Sequence, residues 1–206
     1  SGGQTWQAGG PAFKGDGRNS AAEQLLQFGD NTDGMSFFPW PGDPDRALMA
    51  INNEYVNYRY LLAHGGLPKS AEDVRKAQNA EGVTVIEVRR SGAGWGFVQG
   101  SPYNRRVHGN LPIEVSGPAR GHELLKTEAD PAGIEVLGTF QNCSSGQTPW
   151  GPYLTCEENF SDCLGRSDAN LQFSPDQKRF SVLPASPPAP VRTTPFCIET
   201  SSPQRV

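Results

Sequence analysis

The sequence predicts a mainly β protein, and three observations carry that reading. Glycine (24) and proline (18) together make about a fifth of the 206 residues, a turn-rich composition short of collagen or general disorder. The apolar runs are short and often β-branched, as in ALMAIN over 47–52 and VTVIEV over 83–88, and turn residues bound them as they bound strands. Only two segments carry helix-start chemistry, and both are brief.

In chain order, residues 1–19 are Gly-rich without periodicity and read as a flexible leader. Ser20 with Glu23 forms a potential capping box opening a helix over 21–28, which Gly29 stops. A turn-rich stretch from Asp30 to Gly34 leads into Met35-Ser36-Phe37-Phe38. After the 47–52 strand, Ser70-Ala71-Glu72-Asp73 opens a second helix that ends at Gly82. The 83–88 strand and a strand at 95–99 are joined by the hairpin turn Ser91-Gly92-Ala93-Gly94. Residues 134–140 and 153–156 are expected to pair across a loop at 142–151. The domain thus spans 20–165. Residues 166–206 hold no glycine or tryptophan but seven prolines, which predicts an extended or disordered tail.

Charge and hydropathy exclude several classes. Hydrophobic residues are 35% of the chain, mean hydropathy is -0.54, and no window approaches the ~18 apolar residues of a membrane span. Eighteen Lys and Arg against 22 Asp and Glu, with no basic run, exclude an electrostatic nucleic-acid binder. Residues 1–20 contain no apolar signal segment, and the start at Ser1 is expected to reflect trimming of an exported precursor. Four cysteines stand at 143, 156, 163 and 197 without C-x2-C spacing. Cys143 and Cys156 either form a disulfide across a hairpin, which needs an oxidising compartment, or stand as a free thiol or metal ligand. No H-x3-H, HExxH, G-x-S-x-G, Walker A or G-x-G-x-x-G pattern is present.

Three constellations carry possible chemistry. Thr155-Cys156-Glu157-Glu158-Asn159 ends an apolar strand with three potential ligands together. Strand alternation sends adjacent side chains to opposite faces, so one solvated and one ion-paired glutamate is the alternative. Asn52-Asn53-Glu54-Tyr55 also follows an apolar run and offers hard oxygen donors suited to Ca2+, or simply a polar turn. Arg105-Arg106 offers a fork for phosphate, or a solvated or bracing pair.

In their order, FGDNTDGMSFFPWPGDPDRALMAINNEY, GVTVIEVRR, SPYNRRVHGN, SGPARGHELLKT and LGTFQNCSSGQTPWGPYLTCEENF closely resemble the PhoX family of bacterial alkaline phosphatases over residues 24–160. The resemblance implies an exported metal-dependent phosphomonoesterase, sent to the periplasm or medium by the twin-arginine route and expected to be a monomer. It implies a β-propeller with short inserted helices and a site of Fe3+ and Ca2+ held mainly by carboxylates. Glu54 and Glu157 are the leading implied ligands, followed by Glu158, Cys156 and Asn53. Arg105 and Arg106 are weak substrate-phosphate candidates, with bracing preferred. The family often has NHEY where this chain has NNEY, and Asp at the position of Glu123. Blades take roughly 40–50 residues, so 24–165 supplies about three and a partial propeller is expected. A truncated or partial phosphatase is the leading expectation, and a non-catalytic calcium-binding β module is the alternative.

Overall fold

The computed structural model describes residues 3–159, with Pro175 and Arg179. The Pro-rich segment 166–206, expected to be extended or disordered, otherwise lies outside the described residues. Strands β1 (Thr32–Trp40), β2 (Asp43–Asn53), β3 (Gly82–Ser91) and β4 (Gly94–Phe97) form an antiparallel meander in that order. Strand β5 (Arg105–Val107) pairs with the first half of β3, beyond the end of β4. Such a four-stranded meander is the unit from which propeller blades are made. The fold is therefore mainly β and propeller-like, with no closed sheet among the described residues.

Alternation along β2 and β3 gives this sheet two apolar faces. On one face Ala47, Ile51, Ile86 and Val88 pack beneath Phe28, with Trp6 and Phe97 against them. On the other, Ala50, Val83, Val85 and Val107 pack against Tyr153, with Phe38, Leu111 and Ile113 alongside. Tyr153 belongs to a two-stranded hairpin, β8 (Asn142–Gln147) with β9 (Tyr153–Glu157). That pairing corrects the expected partnership of 134–140 with 153–156. Strand β7 (Glu135–Leu137) instead pairs with β6 (Pro112–Glu114), and the Asn-Cys-Ser-Ser-Gly stretch expected as loop is strand. Its small polar residues carry little local β signal, and pairing with β9 and proximity to β1 override it. Strand β1 is likewise longer than its Phe-Phe pair suggested.

Residues 3–19 are not a flexible leader. The Gly3 and Trp6 amides donate to the carbonyls of Phe28 and Leu26, and Phe28 N–H returns a bond to Gln4 O. The Trp6 carbonyl accepts from Gly100 N–H and from Asn104 Nδ2. These partners are distant in sequence, so no local periodicity announces them. Helices α1 (Ala21–Leu25), α2 (Tyr58–Leu61) and α3 (Ala71–Ala80) lie beside the sheet, and a 3-10 turn covers Glu123–Leu125.

Both expected helix starts form capping boxes, Ser20 with Glu23 and Ser70 with Asp73. Asp73 also accepts from Lys69 N–H at 2.9 Å and Ser70 N–H at 3.1 Å. The Lys69 backbone donor, followed by hydrogen bonds from His64 and Ser70, holds its carboxyl below the usual aspartate range. A depressed native pKa stabilises the fold above the unfolded value and loses that contribution as pH falls through the native one. Asp73→Ala is therefore expected to cost about 1 kcal/mol at neutral pH. In urea melts across pH, the gap between wild type and variant should stay constant above about pH 5 and close below roughly pH 4.

Candidate metal centre

Two strands carry one residue more than their partners can match. In β1, Thr32 pairs with Asn53 and Met35 with Ile51, so Asp33 and Gly34 stand opposite Asn52 alone. In β8, Asn142 pairs with Glu157 and Ser145 with Thr155, so Cys143 and Ser144 stand opposite Cys156. A bulge of this kind bends its strand and re-aims a side chain. The two bulges meet. A Cβ on Gly34 would lie 2.6 Å from the Cys143 carbonyl oxygen and 2.7 Å from Ser145 Oγ, so only glycine admits this approach.

The meeting brings Asp33, Glu54 and Cys143 together, with a ligand atom of each within 4.8 Å of the others. Glu54 is the first residue beyond β2. Its N–H donates to Asn31 O at 3.0 Å, and Asn31, at φ 39°, donates from Nδ2 to Tyr55 O at 2.8 Å. Glu158 follows β9, with its N–H on Gln141 O at 3.0 Å, and its carboxylate acts on both Glu54 and Cys143.

Negative charge dominates here. Burial raises the Glu54 carboxyl above its ordinary range, and the charges of Asp33 and Glu158 raise it further. Hydrogen bonds to the Asp33 and Glu158 carboxylates push the Cys143 thiol up to about 12. Among the described residues, no ion pair involves Asp33, Glu54 or Glu158. Three carboxylates and a sulfur converging without a basic partner are a donor set that a cation fits. The oxygens suit a hard cation, and the sulfur a softer transition metal.

The structure sorts the residues expected from sequence. Glu54 and Glu158 reach the cluster, and Asp33 and Cys143 join them. Glu157 does not, because its Oε1 accepts from Phe140 N–H at 3.0 Å. Asn53 is fully buried on the sheet face opposite Asn52, and its Oδ1 accepts from Thr84 Oγ1 at 2.6 Å. Cys156 is exposed and Cys143 half-buried, and both are free thiols, so of the two alternatives the disulfide across the hairpin is not formed. The β8 bulge turns Cys143 toward β1 while Cys156 stays on the outer face of β9. Arg106 is buried and braces the fold, donating to Gln27 O at 2.9 Å and Glu81 O at 2.7 Å. Burial lowers its pKa to about 9, which leaves it protonated at neutral pH. Arg105 donates to Tyr103 O. Neither arginine joins the cluster. Sequence reasoning missed Asp33, whose one signal was the glycine beside it, and it left Cys143 open between a disulfide and a free thiol or metal ligand.

The family profile "Alkaline phosphatase PhoX" matches residues 1–194. The chain belongs to the PhoX family. This match is wider than the 24–160 resemblance, and it takes in residues 1–19 and most of the Pro-rich segment. Among solved structures, Pseudomonas fluorescens PhoX in complex with vanadate, a transition state analogue, is similar at 65% identity and a TM-score of 0.86. The match covers 87% of this chain and 31% of that one, so this PhoX-family chain spans about a third of its relative's length. Among curated proteins, none matches.

The two cysteines should separate cleanly in a Cd2+ titration of the reduced chain carrying Cys163→Ser and Cys197→Ser. Cys143→Ser is expected to abolish the sulfur-to-cadmium charge-transfer band, and Cys156→Ser to leave it intact. The reverse pattern would place the ligand on the outer face of β9. Thiol counts on denatured protein should be the same with and without reductant at both positions.

Proposed function

We propose that this PhoX-family chain serves metal-dependent phosphomonoester hydrolysis, with Asp33, Glu54, Cys143 and Glu158 as its cation-holding residues. The observation that carries the reading is the convergence of Asp33, Glu54 and Cys143 within 4.8 Å in a chain of a phosphatase family. Ca2+ and Fe3+ are the proposed cations, matched to hard carboxylates and to a sulfur respectively. Bound there, they supply Lewis acidity against the negative charge that spreads over the phosphoryl oxygens. The chain's own contribution is to fix four donors on two bulges and two strand ends, and Cys143 gives up its proton on ligating. Vanadate, the analogue bound by the Pseudomonas fluorescens protein, is expected to compete with substrate here. Export to the periplasm or medium through the twin-arginine route, and a monomeric state, complete the proposal.

One observation favours the second reading, a calcium-binding β module without hydrolysis. Arg106 is committed to Gln27 O and Glu81 O and Arg105 donates to Tyr103 O, so these two are bracing groups rather than a fork for a substrate phosphate. An assay separates the two. Turnover of an aryl phosphate by the 206-residue chain at alkaline pH, with Fe3+ and Ca2+ supplied, is expected to fall about 100-fold or more in Glu54→Gln. Glu157→Gln should retain most of it. Saturable Ca2+ binding without turnover would support the non-catalytic module.

A further inference from the structure

The two bulges that bear Asp33 and Cys143 belong to different sheets, so some interaction must fix their separation. One side chain spans them. Asn52 is fully buried between the sheet and the β8–β9 hairpin. Its Nδ2 donates to Cys143 O at 2.8 Å and Ser144 O at 3.3 Å, the two carbonyls of the β8 bulge. Its Oδ1 accepts from Tyr153 Oη at 2.8 Å and Thr155 Oγ1 at 2.9 Å. The Tyr153 hydroxyl also lies 3.1 Å from Gly34 O, in the β1 bulge, so its one proton is shared between the two acceptors. Asn52 lies near the end of β2, two residues before Glu54. A planar amide offers two donors and two acceptor positions in one rigid group, and here all are used.

We propose that Asn52 and Tyr153 are positioning residues that set the cation affinity of the Asp33–Glu54–Cys143 cluster; the inference rests on the metal-centre reading above. They touch no ligand atom. They act by holding the backbone from which the ligands project, as outer partners of metal ligands do elsewhere. A hydrophobic pair of similar volume would fill the space but leave the two bulges free to slide apart. It would also strand the Cys143 and Ser144 carbonyls without a donor.

The test uses the reduced full chain and Co2+ as probe, read by sulfur-to-cobalt charge-transfer absorption. Tyr153→Phe removes one oxygen, keeps the ring against Phe38 and leaves charge unchanged. Asn52→Ala removes the whole amide. Both are expected to raise the Co2+ dissociation constant about 10- to 100-fold. Thr84→Val is the control: it breaks the buried bond to Asn53 in the same sheet, away from the cluster. It should lower the melting temperature without changing Co2+ affinity. If Asn52→Ala does not fold, Tyr153→Phe decides alone. Wild-type affinity in Tyr153→Phe would overturn the positioning role. So would an equal loss in Thr84→Val, because general destabilisation would then explain the effect. No Co2+ absorption in the wild type would instead overturn the metal-centre reading and the inference with it.

Discussion

Asp33, Glu54 and Glu158 bring like charge into one place, and much of the surrounding structure serves to keep them there. Two unit charges 4 Å apart repel by about 1 kcal/mol in water and about 4 kcal/mol at an effective dielectric of 20. That repulsion is present whenever no cation is bound, and it would open a loosely held site. It acts on Cys143 as well, where the neighbouring carboxylates hold the thiol in its protonated form. The opposing force comes from the packed sheet behind it and from the Asn52 hydrogen bonds that join sheet to hairpin.

The sheet can resist because both of its faces are covered by non-local contacts. The N-terminal segment and Phe28 close one face, and the β8–β9 hairpin closes the other around Tyr153. Two buried cations tie the first face together through carbonyls rather than carboxylates. Arg106 reaches Gln27 and Glu81, while Lys76 Nζ reaches Gly17 O at 2.7 Å and Leu61 O at 2.6 Å. Burial lowers the pKa of both. Hydrogen bonds from charged groups are worth more than neutral ones, about 1.5–3 kcal/mol each. They offset part of that desolvation and pin residues 17 and 27 against the helices and sheet. Positive charge is spent on architecture on one side of the sheet, and unpaired negative charge is gathered on the other.

Away from the cluster, carboxylates are paired in the ordinary way. Glu87 is buried yet meets Arg46 at 2.8 Å, Arg89 at 3.0 Å and Ser101 Oγ at 2.7 Å. The Arg46 guanidinium in turn stacks 3.5 Å from the Trp40 ring centroid. Hydrogen bonds from Arg46, Ser101 and Arg89 outweigh the burial of Glu87 and lower its pKa, the reverse of Glu54. Both glutamates stand on or just beyond strands of the same sheet. What separates them is the presence or absence of a basic neighbour.

The sequence by itself determined the local chemistry. Ser20 and Ser70 cap helices because a side-chain oxygen three residues from an acid is a short-range arrangement. VTVIEV is a strand because β-branched residues fit a pleated surface, and Gly92-Ala93 turns because so short a loop needs glycine. The ordered motifs identified the family and pointed first to Glu54 and Glu157, with Glu158 behind them. The tertiary structure decided which neighbours in sequence share a site. Adjacent residues such as Asn52 and Asn53, or Glu157 and Glu158, look equivalent on the page. Alternation and a single extra residue in β1 and in β8 send them to different places. Each bulge sits in a local hairpin, β1–β2 or β8–β9, but their meeting joins residues about 90 positions apart, as the Asn52–Cys143 contact does. That approach has no local sequence signature, so Asp33 and Cys143 come together only where the hairpin meets the sheet.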